Sequence, residues 1–268
     1  MADGYRLLAC DLDGTLLDSD GVLPGAVSDA LGRAVAAGLT VAVITARPPR
    51  DVPAAIRTGI PPSAYWAHGN GALVFRPGER RPSRKLVFDP GVQHRIATVL
   101  EEAHPDWALA FDLLDGTIVQ PGFPEELARH WNGVERRRGV VSARPVVKLL
   151  ACPFAVISTQ LVVAVQKLVG LDAEVTASGP HFLELGPRGT GKHGVLAWIA
   201  ADLGLDLAQT AAVGDGLNDR GMLRLAGLGA APANAHEAVR SAADRLLPSN
   251  DDDAVAHLVD QLLCQGGS

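Results

Sequence analysis

Residues 7–18 read LLACDLDGTLLD, and this stretch decides the fold. Its first four residues form an apolar run with the length of a buried β-strand. Asp11 and Asp13 follow, and side chains two residues apart on an extended strand lie on the same face. Two such carboxylates are costly to bury unless a cation compensates them, and Gly14 then allows a sharp backbone turn.

Two interpretations of this stretch stay open. Magnesium commonly takes one or two carboxylates together with water and phosphate oxygens, so one aspartate could bind a metal ion while the other transfers protons. Alternatively, Asp13-Gly14 is only a turn after a strand, since Asp-Gly is a common turn dipeptide.

Length and composition limit the class of protein. A chain of 268 residues with 47% hydrophobic and 20% charged residues has material for about two globular domains. The net charge of −6 argues against nucleic acid and anionic membranes as partners. Three widely spaced cysteines give neither a disulfide framework nor zinc-ligand spacing, and no secretory signal pattern opens the chain. A cytoplasmic protein is therefore expected.

Further apolar segments predict an α/β fold with a Rossmann-like open parallel sheet. Strands are expected at residues 39–45, 64–68, 72–75, 210–213 and 227–231, and helices at 24–37, 50–58, 193–203, 220–226 and 251–263. Because continuous apolar strands alternate with helices, most strands should be parallel and covered on both faces. The apolar stretch 149–165 contains Pro153 and three polar residues and falls short of a membrane span.

Polar residues follow several of these strands. In an open parallel sheet, ligands bind outside the carboxyl ends of the strands, and five polar residues are expected there: Asp11, Asp13, Thr45, Asp215 and Asp219. Close carboxylates there would repel by about 4 kcal/mol per pair at an effective dielectric near 20, so a divalent cation and Lys192 are expected to offset them. Purely structural roles for these residues also stay open: Thr45 as an ordinary strand residue, Lys192 as a solvated lysine, and Asn218 or Asp219 as a helix N-cap.

The middle of the chain has a different texture. Residues 76–84 are rich in proline, glycine and charge, as at a domain boundary, and a mixed α+β insert of about a hundred residues follows. We expect a catalytic core from residues 1–82 and 187–268 and an inserted cap domain from 83–186. Within the insert, residues 136–138 are three arginines, which form either a solvated turn or a contact for an anionic substrate.

Residues 186–193 nearly match the nucleotide-binding P-loop. The match fails at His193, which replaces the hydroxyl residue that would hold magnesium. The segment is also late in the chain and contains Pro187, so a nucleotide P-loop is rejected.

Taken together, the motifs resemble those of haloacid dehalogenase superfamily phosphatases. Asp11-Leu-Asp-Gly-Thr, Thr45, Lys192 and Gly214-Asp-Gly-Leu-Asn-Asp219 match the four family motifs in order and spacing. Only 34 positions separate Asp11 from Thr45 (45 − 11), whereas 147 separate Thr45 from Lys192 (192 − 45), which is room for a cap. This spacing is similar to that of the Cof-type subfamily, as are Asn70-Gly71-Ala72 and residues 178–185.

The resemblance implies a role for each motif residue. Asp11 would be the nucleophile and a magnesium ligand, Asp13 the general acid/base with its carbonyl on the metal, and Asp215 a further ligand supported by Asp219. The phosphoryl group would be held by four residues: Thr45, Ala46, Lys192 and Asn218. Ala46 stands where the family usually has glycine, so its N–H can serve unless that position needs a positive φ.

These roles predict a Mg²⁺-dependent phosphatase that forms an aspartyl-phosphate. The expected partner is a small phosphorylated metabolite, such as a sugar phosphate, and the protein is expected to be a monomer or small homo-oligomer. A sugar phosphomutase and a non-catalytic binding module on the same fold are the competing functions.

Overall fold

The computed structural model describes residues 4–137 and 144–265. In chain order its strands are β1 (Leu7–Cys10), β2 (Thr40–Ile44), β3 (Tyr65–His68), β4 (Leu73–Phe75), β5 (Arg84–Lys85), β6 (Ala108–Leu113), β7 (Thr117–Val119), β8 (Val134–Arg136), β9 (Val146–Cys152), β10 (Ala173–Thr176), β11 (Leu183–Pro187), β12 (Thr210–Val213), β13 (Leu228–Ala231) and β14 (Arg245–Leu246). Its helices are α1 (Gly25–Ala36), α2 (Ala54–Gly59), α3 (Pro90–Ala103), α4 (Glu125–Ala128), α5 (Thr159–Val169), α6 (Lys192–Asp202), α7 (Arg220–Leu225), α8 (Glu237–Arg240) and α9 (Ala254–Gln265).

The larger sheet has the strand order β14-β13-β12-β1-β2-β3-β4-β5. Its first six strands in this order are parallel. Central strands such as β1 and β12 are buried at every residue, because helices cover both faces of the sheet. Helices α1 and α9 pack on one face, and α6 and α7 pack on the other. The predicted open α/β sheet is confirmed.

The far edge of this sheet is antiparallel. Between β3 and β4 the chain has only the turn Gly69–Gly71, and a parallel return needs a crossover of a dozen or more residues. Strand β4 therefore pairs antiparallel with β3, and the short β5 extends the same edge. The sheet is mixed rather than wholly parallel for this reason.

A separate second sheet, with the order β10-β11-β9-β6-β7-β8, lies between the two halves of the core sequence. Its strands pair antiparallel except β7 with β8. One face is covered by α3 and α5, and the other carries α4 and a smaller apolar cluster. The predicted α+β insert is confirmed in architecture.

Several predicted element bounds are wrong. Pro53 cannot donate a backbone hydrogen bond, so the segment predicted as one helix is a short turn, Pro49–Asp51, followed by α2. Asp253 is left-handed (φ 57°), and α9 begins only after it. The short strands β5, β8 and β14 carry too few apolar residues to have been predicted.

Residues 149–165 supply most of β9 and the first part of α5 rather than one long element. No helix in the described ranges combines the length and the apolar character needed to cross a bilayer. The three cysteines are free: Cys10 and Cys152 are buried, and Cys264 is exposed.

Candidate active site

The carboxyl ends of β1, β2 and β12 lie side by side at one end of the core sheet's strands, and the motif residues lie there. Asp11 continues the ladder beyond β1, since its N–H donates to the Val213 carbonyl at 2.9 Å. The chain then makes one wide turn, Leu12–Leu16, closed by the Leu17 N–H on the Leu12 carbonyl. Gly14 has a φ of 69° in this turn, as its sequence position predicted.

Three carboxylates and one ammonium group form the centre of the site. Asp11, Asp215 and Asp219 each place a carboxylate oxygen within 4.8 Å of the other two. Lys192, at the start of α6, donates to Asp11 and, at 2.6 Å, to Asp219 Oδ1. Its side chain is 1% exposed, so the alternative of a solvated lysine is wrong.

Burial sets the electrostatics of this cluster. Burial raises the pKa of Asp11, and Asp219 adds to the effect while Lys192 opposes it. Burial and the neighbouring Asp219 also raise the pKa of Asp215 to about 6. For Lys192, burial alone would lower the pKa, but Asp11 and Asp219 hold it above its usual value. One lysine therefore leaves the three carboxylates incompletely neutralised.

This donor set fits a hard divalent cation. The cluster offers only carboxylate oxygens at short mutual distances, which is the chemistry that Mg²⁺ accepts. A cation would also offset the repulsion that raises the pKa of Asp215. The Asp13 side chain does not belong to the cluster, so only its backbone carbonyl remains available for such an ion.

Asp13 instead pairs with Arg47. Arg47 Nε donates to Asp13 Oδ2 at 2.9 Å and to Oδ1 at 3.1 Å, and the Asp13 carboxylate is 49% exposed. Thr15, in the same turn, donates its hydroxyl to Asp215 Oδ1 at 3.0 Å. A side chain at Gly14 would place Cβ 2.6 Å from Asp215 Oδ2, so this close approach requires glycine.

The loop after β2 holds Thr45 and Ala46. Thr45 is fully buried, and its hydroxyl accepts the Arg47 N–H at 3.0 Å. Ala46 has no positive φ, so replacing the usual glycine leaves its backbone unstrained. The Ala46 carbonyl accepts a hydrogen bond at 2.8 Å from Lys148 in the second sheet.

A cavity of about 550 Å³ lies between these carboxyl ends of the core strands and the second sheet. Asp11, Asp13 and Ala46 line it on the core side. On the opposite side its polar lining includes Asp112, Lys148 and Glu184. The apolar lining is Leu127, Trp131, Leu150 and Phe182. The cavity can therefore hold a small molecule with one end at Asp11.

Two sets of polar contacts join the core to the insert beside this cavity. Arg50, just before α2, forms a salt bridge with Asp112 and donates to Thr117 Oγ1 at 2.6 Å. Asp51 accepts from the backbone N–H and side-chain amide of Asn132, each at 2.9 Å. The second sheet is thus held over the site in this structure.

Three alternatives from the sequence can be settled. Asp219 is the N-cap of α7 but makes no capping hydrogen bond, because its oxygens accept from Lys192 and from the Gly216 N–H. The near P-loop is a tight turn between β11 and α6, and its Lys192 points into the acidic cluster. Arg136 and Arg137 pair with Glu125 and Glu135 and do not line the cavity; residue 138 lies outside the described residues.

Sequence reasoning missed four residues at this site. Arg47 binds Asp13, and Asn70 binds both Asn218 and Glu184. Lys148 binds Glu184 at 2.7 Å. The sequence did carry a signal for two of them. Lys148 and Glu184 are each the one charged residue in an otherwise apolar buried strand, VVKLLAC and LELGP.

Comparison with known proteins places the fold. The family model of haloacid dehalogenase-like hydrolases matches residues 8–259. Phosphatase YwpJ of Bacillus subtilis (strain 168) is 28% identical over 96% of this chain and 100% of its own. The 5-amino-6-(5-phospho-D-ribitylamino)uracil phosphatase YwtE of the same organism is 29% identical over 96% and 98%. The solved subclass IIB sugar phosphatase BT4131 is 23% identical, with a TM-score of 0.79 over 96% of this chain and 98% of its own.

Proposed function

Since the chain belongs to the haloacid dehalogenase-like hydrolases and is a phosphatase of small phosphorylated metabolites, we propose that it uses Mg²⁺ and an aspartyl-phosphate intermediate to hydrolyse a sugar phosphate or similar phosphomonoester. The observation that carries this proposal is the position of Asp11. Its carboxylate lies beside Lys192 and two further acids and also lines the cavity.

In the proposed first step, an Asp11 oxygen attacks phosphorus while the bond from phosphorus to the leaving oxygen breaks. Lys192 holds Asp11 in place and balances negative charge on the phosphoryl oxygens. Thr45 and the Ala46 N–H would receive those oxygens, and Asp13 would give its proton to the leaving alcohol. Mg²⁺ would be held by Asp11, Asp215 and the Asp13 carbonyl, and Asp219 would support this site. The ion would neutralise charge on the transferring group.

In the second step, Asp13 takes a proton from water as the water oxygen attacks phosphorus. The bond between phosphorus and Asp11 breaks, and phosphate leaves. Asp13 lines the cavity, is half exposed and is held by Arg47, so water can reach it. An acid at this position favours hydrolysis, because the acyl-phosphate would otherwise persist.

We further propose that residues 83–186, apart from β5, which pairs with the core sheet, are a cap domain on a core of residues 1–82 and 187–268. The cap would exclude water during the first step and select the leaving group. The polar side chains that line the cavity suit a hydroxylated leaving group. The cytoplasmic location and the state of a monomer or small homo-oligomer remain predictions.

A sugar phosphomutase is the second candidate function. It would share the nucleophile and the cavity but return the phosphoryl group to another hydroxyl of the sugar. A non-catalytic binding module is disfavoured by the complete set of reactive groups around Asp11. A screen of phosphorylated metabolites separates the three functions: a phosphatase releases phosphate, a mutase converts one isomer to another, and a binding module does neither.

Magnesium should stabilise the folded protein even without substrate. At a concentration 100 times its Kd, a ligand of the folded state adds about 2.7 kcal/mol, which should raise the melting temperature by several degrees. Asp215→Asn should abolish most of this shift, because it removes a carboxylate of the cluster. The control Asp172→Asn alters an exposed acid paired with Arg95 and should keep the shift. An equal shift in the Asp215 variant would contradict the assigned metal site.

Trp131 should contribute to binding of the leaving group rather than to chemistry. Trp131→Ala should raise KM for a sugar phosphate about tenfold, a loss of about 1.4 kcal/mol, and leave kcat/KM for acetyl phosphate nearly unchanged. Trp107→Ala is the matched control, since Trp107 stacks on His104 in the same insert and does not line the cavity. Equal effects of the two variants on KM would count against the assigned cavity wall.

A further inference from the structure

A chain of hydrogen bonds joins the second sheet to the loop after β12. Lys148 Nζ donates to Glu184 Oε1 at 2.7 Å, and Glu184 Oε2 accepts from Asn70 Nδ2 at 3.0 Å. Asn70 Oδ1 in turn accepts from Asn218 Nδ2 at 3.0 Å. All four side chains are at least nine-tenths buried. The chain therefore runs through the protein interior from the insert to the motif that carries Asp215 and Asp219.

Glu184 fixes the direction of every bond in this chain. An ionised carboxylate only accepts hydrogen bonds, so Asn70 must turn its NH₂ group towards Glu184 and its oxygen towards Asn218. Asn218 must then turn its own NH₂ group towards Asn70. Its oxygen lies against Gly216, where an added Cβ would come within 2.6 Å of Asn218 Oδ1. A residue in the insert thus determines which end of the Asn218 amide faces the acidic loop.

The same lysine also orders the loop after β2. Besides Glu184, Lys148 Nζ donates to the Ala46 carbonyl at 2.8 Å. This bond fixes the plane of the Ala46–Arg47 peptide, next to the N–H groups assigned to the phosphoryl oxygens. Both loops that surround Asp11 are therefore held by one ion pair of the insert.

Stability alone is a poor explanation for this arrangement. Lys148 and Glu184 interrupt apolar buried strands, and replacing a buried ion pair by apolar residues is often neutral or stabilising. Asn70 also carries a φ of 54°, and such left-handed residues of this type commonly mark functional sites. The free-energy cost of the buried ion pair and of the left-handed Asn70 is explained if the chain of hydrogen bonds aligns the reacting groups.

We propose that Glu184, Lys148 and Asn70 are positioning residues, which orient Asn218 and the Ala46–Arg47 peptide for phosphoryl transfer only while the insert is seated on the core. This rests on the proposed function. None of the three needs to touch the reacting atoms. Their removal should lower kcat with little change in KM, because substrate still binds but the groups around phosphorus are misaligned.

Isosteric variants test the direction of the bonds. Asn70→Asp places a carboxylate against Glu184, and a misplacement of about 1 Å can cost about 100-fold, so kcat should fall 10- to 100-fold. Glu184→Gln allows both asparagines to flip, and kcat should fall about tenfold.

The double variant, Asn70→Asp with Glu184→Gln, restores every bond. The new amide at position 184 accepts from Lys148 through its oxygen and donates through its NH₂ group to the new carboxylate at position 70. That carboxylate still accepts from Asn218. The kcat of the double variant should exceed that of Asn70→Asp at least tenfold, with KM within about threefold of the parent.

Gln120→Glu is the matched control. Gln120 also donates from its side-chain amide to a carboxylate, that of Glu101 at 2.7 Å, but this exposed pair lies within the insert, outside the chain of bonds, and does not line the cavity. Its kcat should stay within about twofold of the parent. All variants are compared on one substrate that the parent hydrolyses, with melting temperatures measured alongside.

The outcomes separate the two proposals. A parent protein that releases no phosphate from any metabolite would refute the proposed function. An active parent whose Asn70→Asp and Glu184→Gln variants keep kcat within about twofold would overturn the positioning role alone. So would a double variant no faster than Asn70→Asp. If Asn70→Asp does not fold, Glu184→Gln decides by itself, with an unchanged kcat overturning the proposal.

Discussion

Asp11→Asn should lower turnover by a factor of roughly 10⁴ or more while the protein stays folded. The amide is nearly isosteric with the carboxylate but is a poor nucleophile, so no aspartyl-phosphate can form. The variant should release no phosphate beyond the trace due to deamidation. Intact mass spectrometry of quenched reactions should show a phosphorylated adduct on the parent and none on the variant.

The fold should tolerate this change because the site contains more acid than base. Lys192 keeps Asp219 at 2.6 Å when Asp11 is neutralised, so no buried charge is left without a partner. The loss of the Asp11 charge also removes the repulsion between Asp11 and its neighbours Asp219 and Asp215. The melting temperature should be equal to or above that of the parent. Retention of more than about a hundredth of parental activity would instead point to direct attack by water.

The core sheet and the acidic cluster were predictable because their signals are local. Each central strand is a short apolar run that ends in a polar residue, and parallel strands bring such ends together. Asp11, Asp215 and Lys192 therefore meet as expected, although 181 positions separate Asp11 from Lys192. That prediction depended on the parallel topology of the sheet and not on any one contact.

The rest of the site depends on contacts that no local pattern encodes. Asn70 and Glu184 are 114 positions apart and come from different sheets. Arg47 could have been a solvated residue of the loop, but it binds Asp13 instead. Such pairings are set by how the insert sits on the core, which the motifs do not specify. The signal that did exist, one charge in an apolar strand, indicates a buried partner without identifying it.

Asp13→Ala should separate the two steps of the reaction. With an aryl phosphate, the leaving oxide needs little protonation, so the first transfer should be nearly as fast as in the parent. Hydrolysis of the aspartyl-phosphate should slow by about 10²–10⁴-fold, because water has lost its base. A burst of aryl oxide should precede slow turnover, and mass spectrometry should find phosphate held on Asp11. With an alkyl phosphate, the first transfer should slow as well.

The contact with Arg47 supplies the companion variant for this experiment. Asp13→Asn can still accept a hydrogen bond from Arg47 and keeps the shape of the turn, yet it has no basic carboxylate. If Asp13 acts as the acid and base, both variants should accumulate the phosphoprotein. If it only holds Arg47 in place, Asp13→Asn should turn over like the parent while Asp13→Ala fails. Magnesium should still raise the melting temperature of both variants, since the Asp13 side chain lies outside the carboxylate cluster. Loss of that shift would mean that the Asp13 carboxylate, and not only its backbone carbonyl, belongs to the metal site.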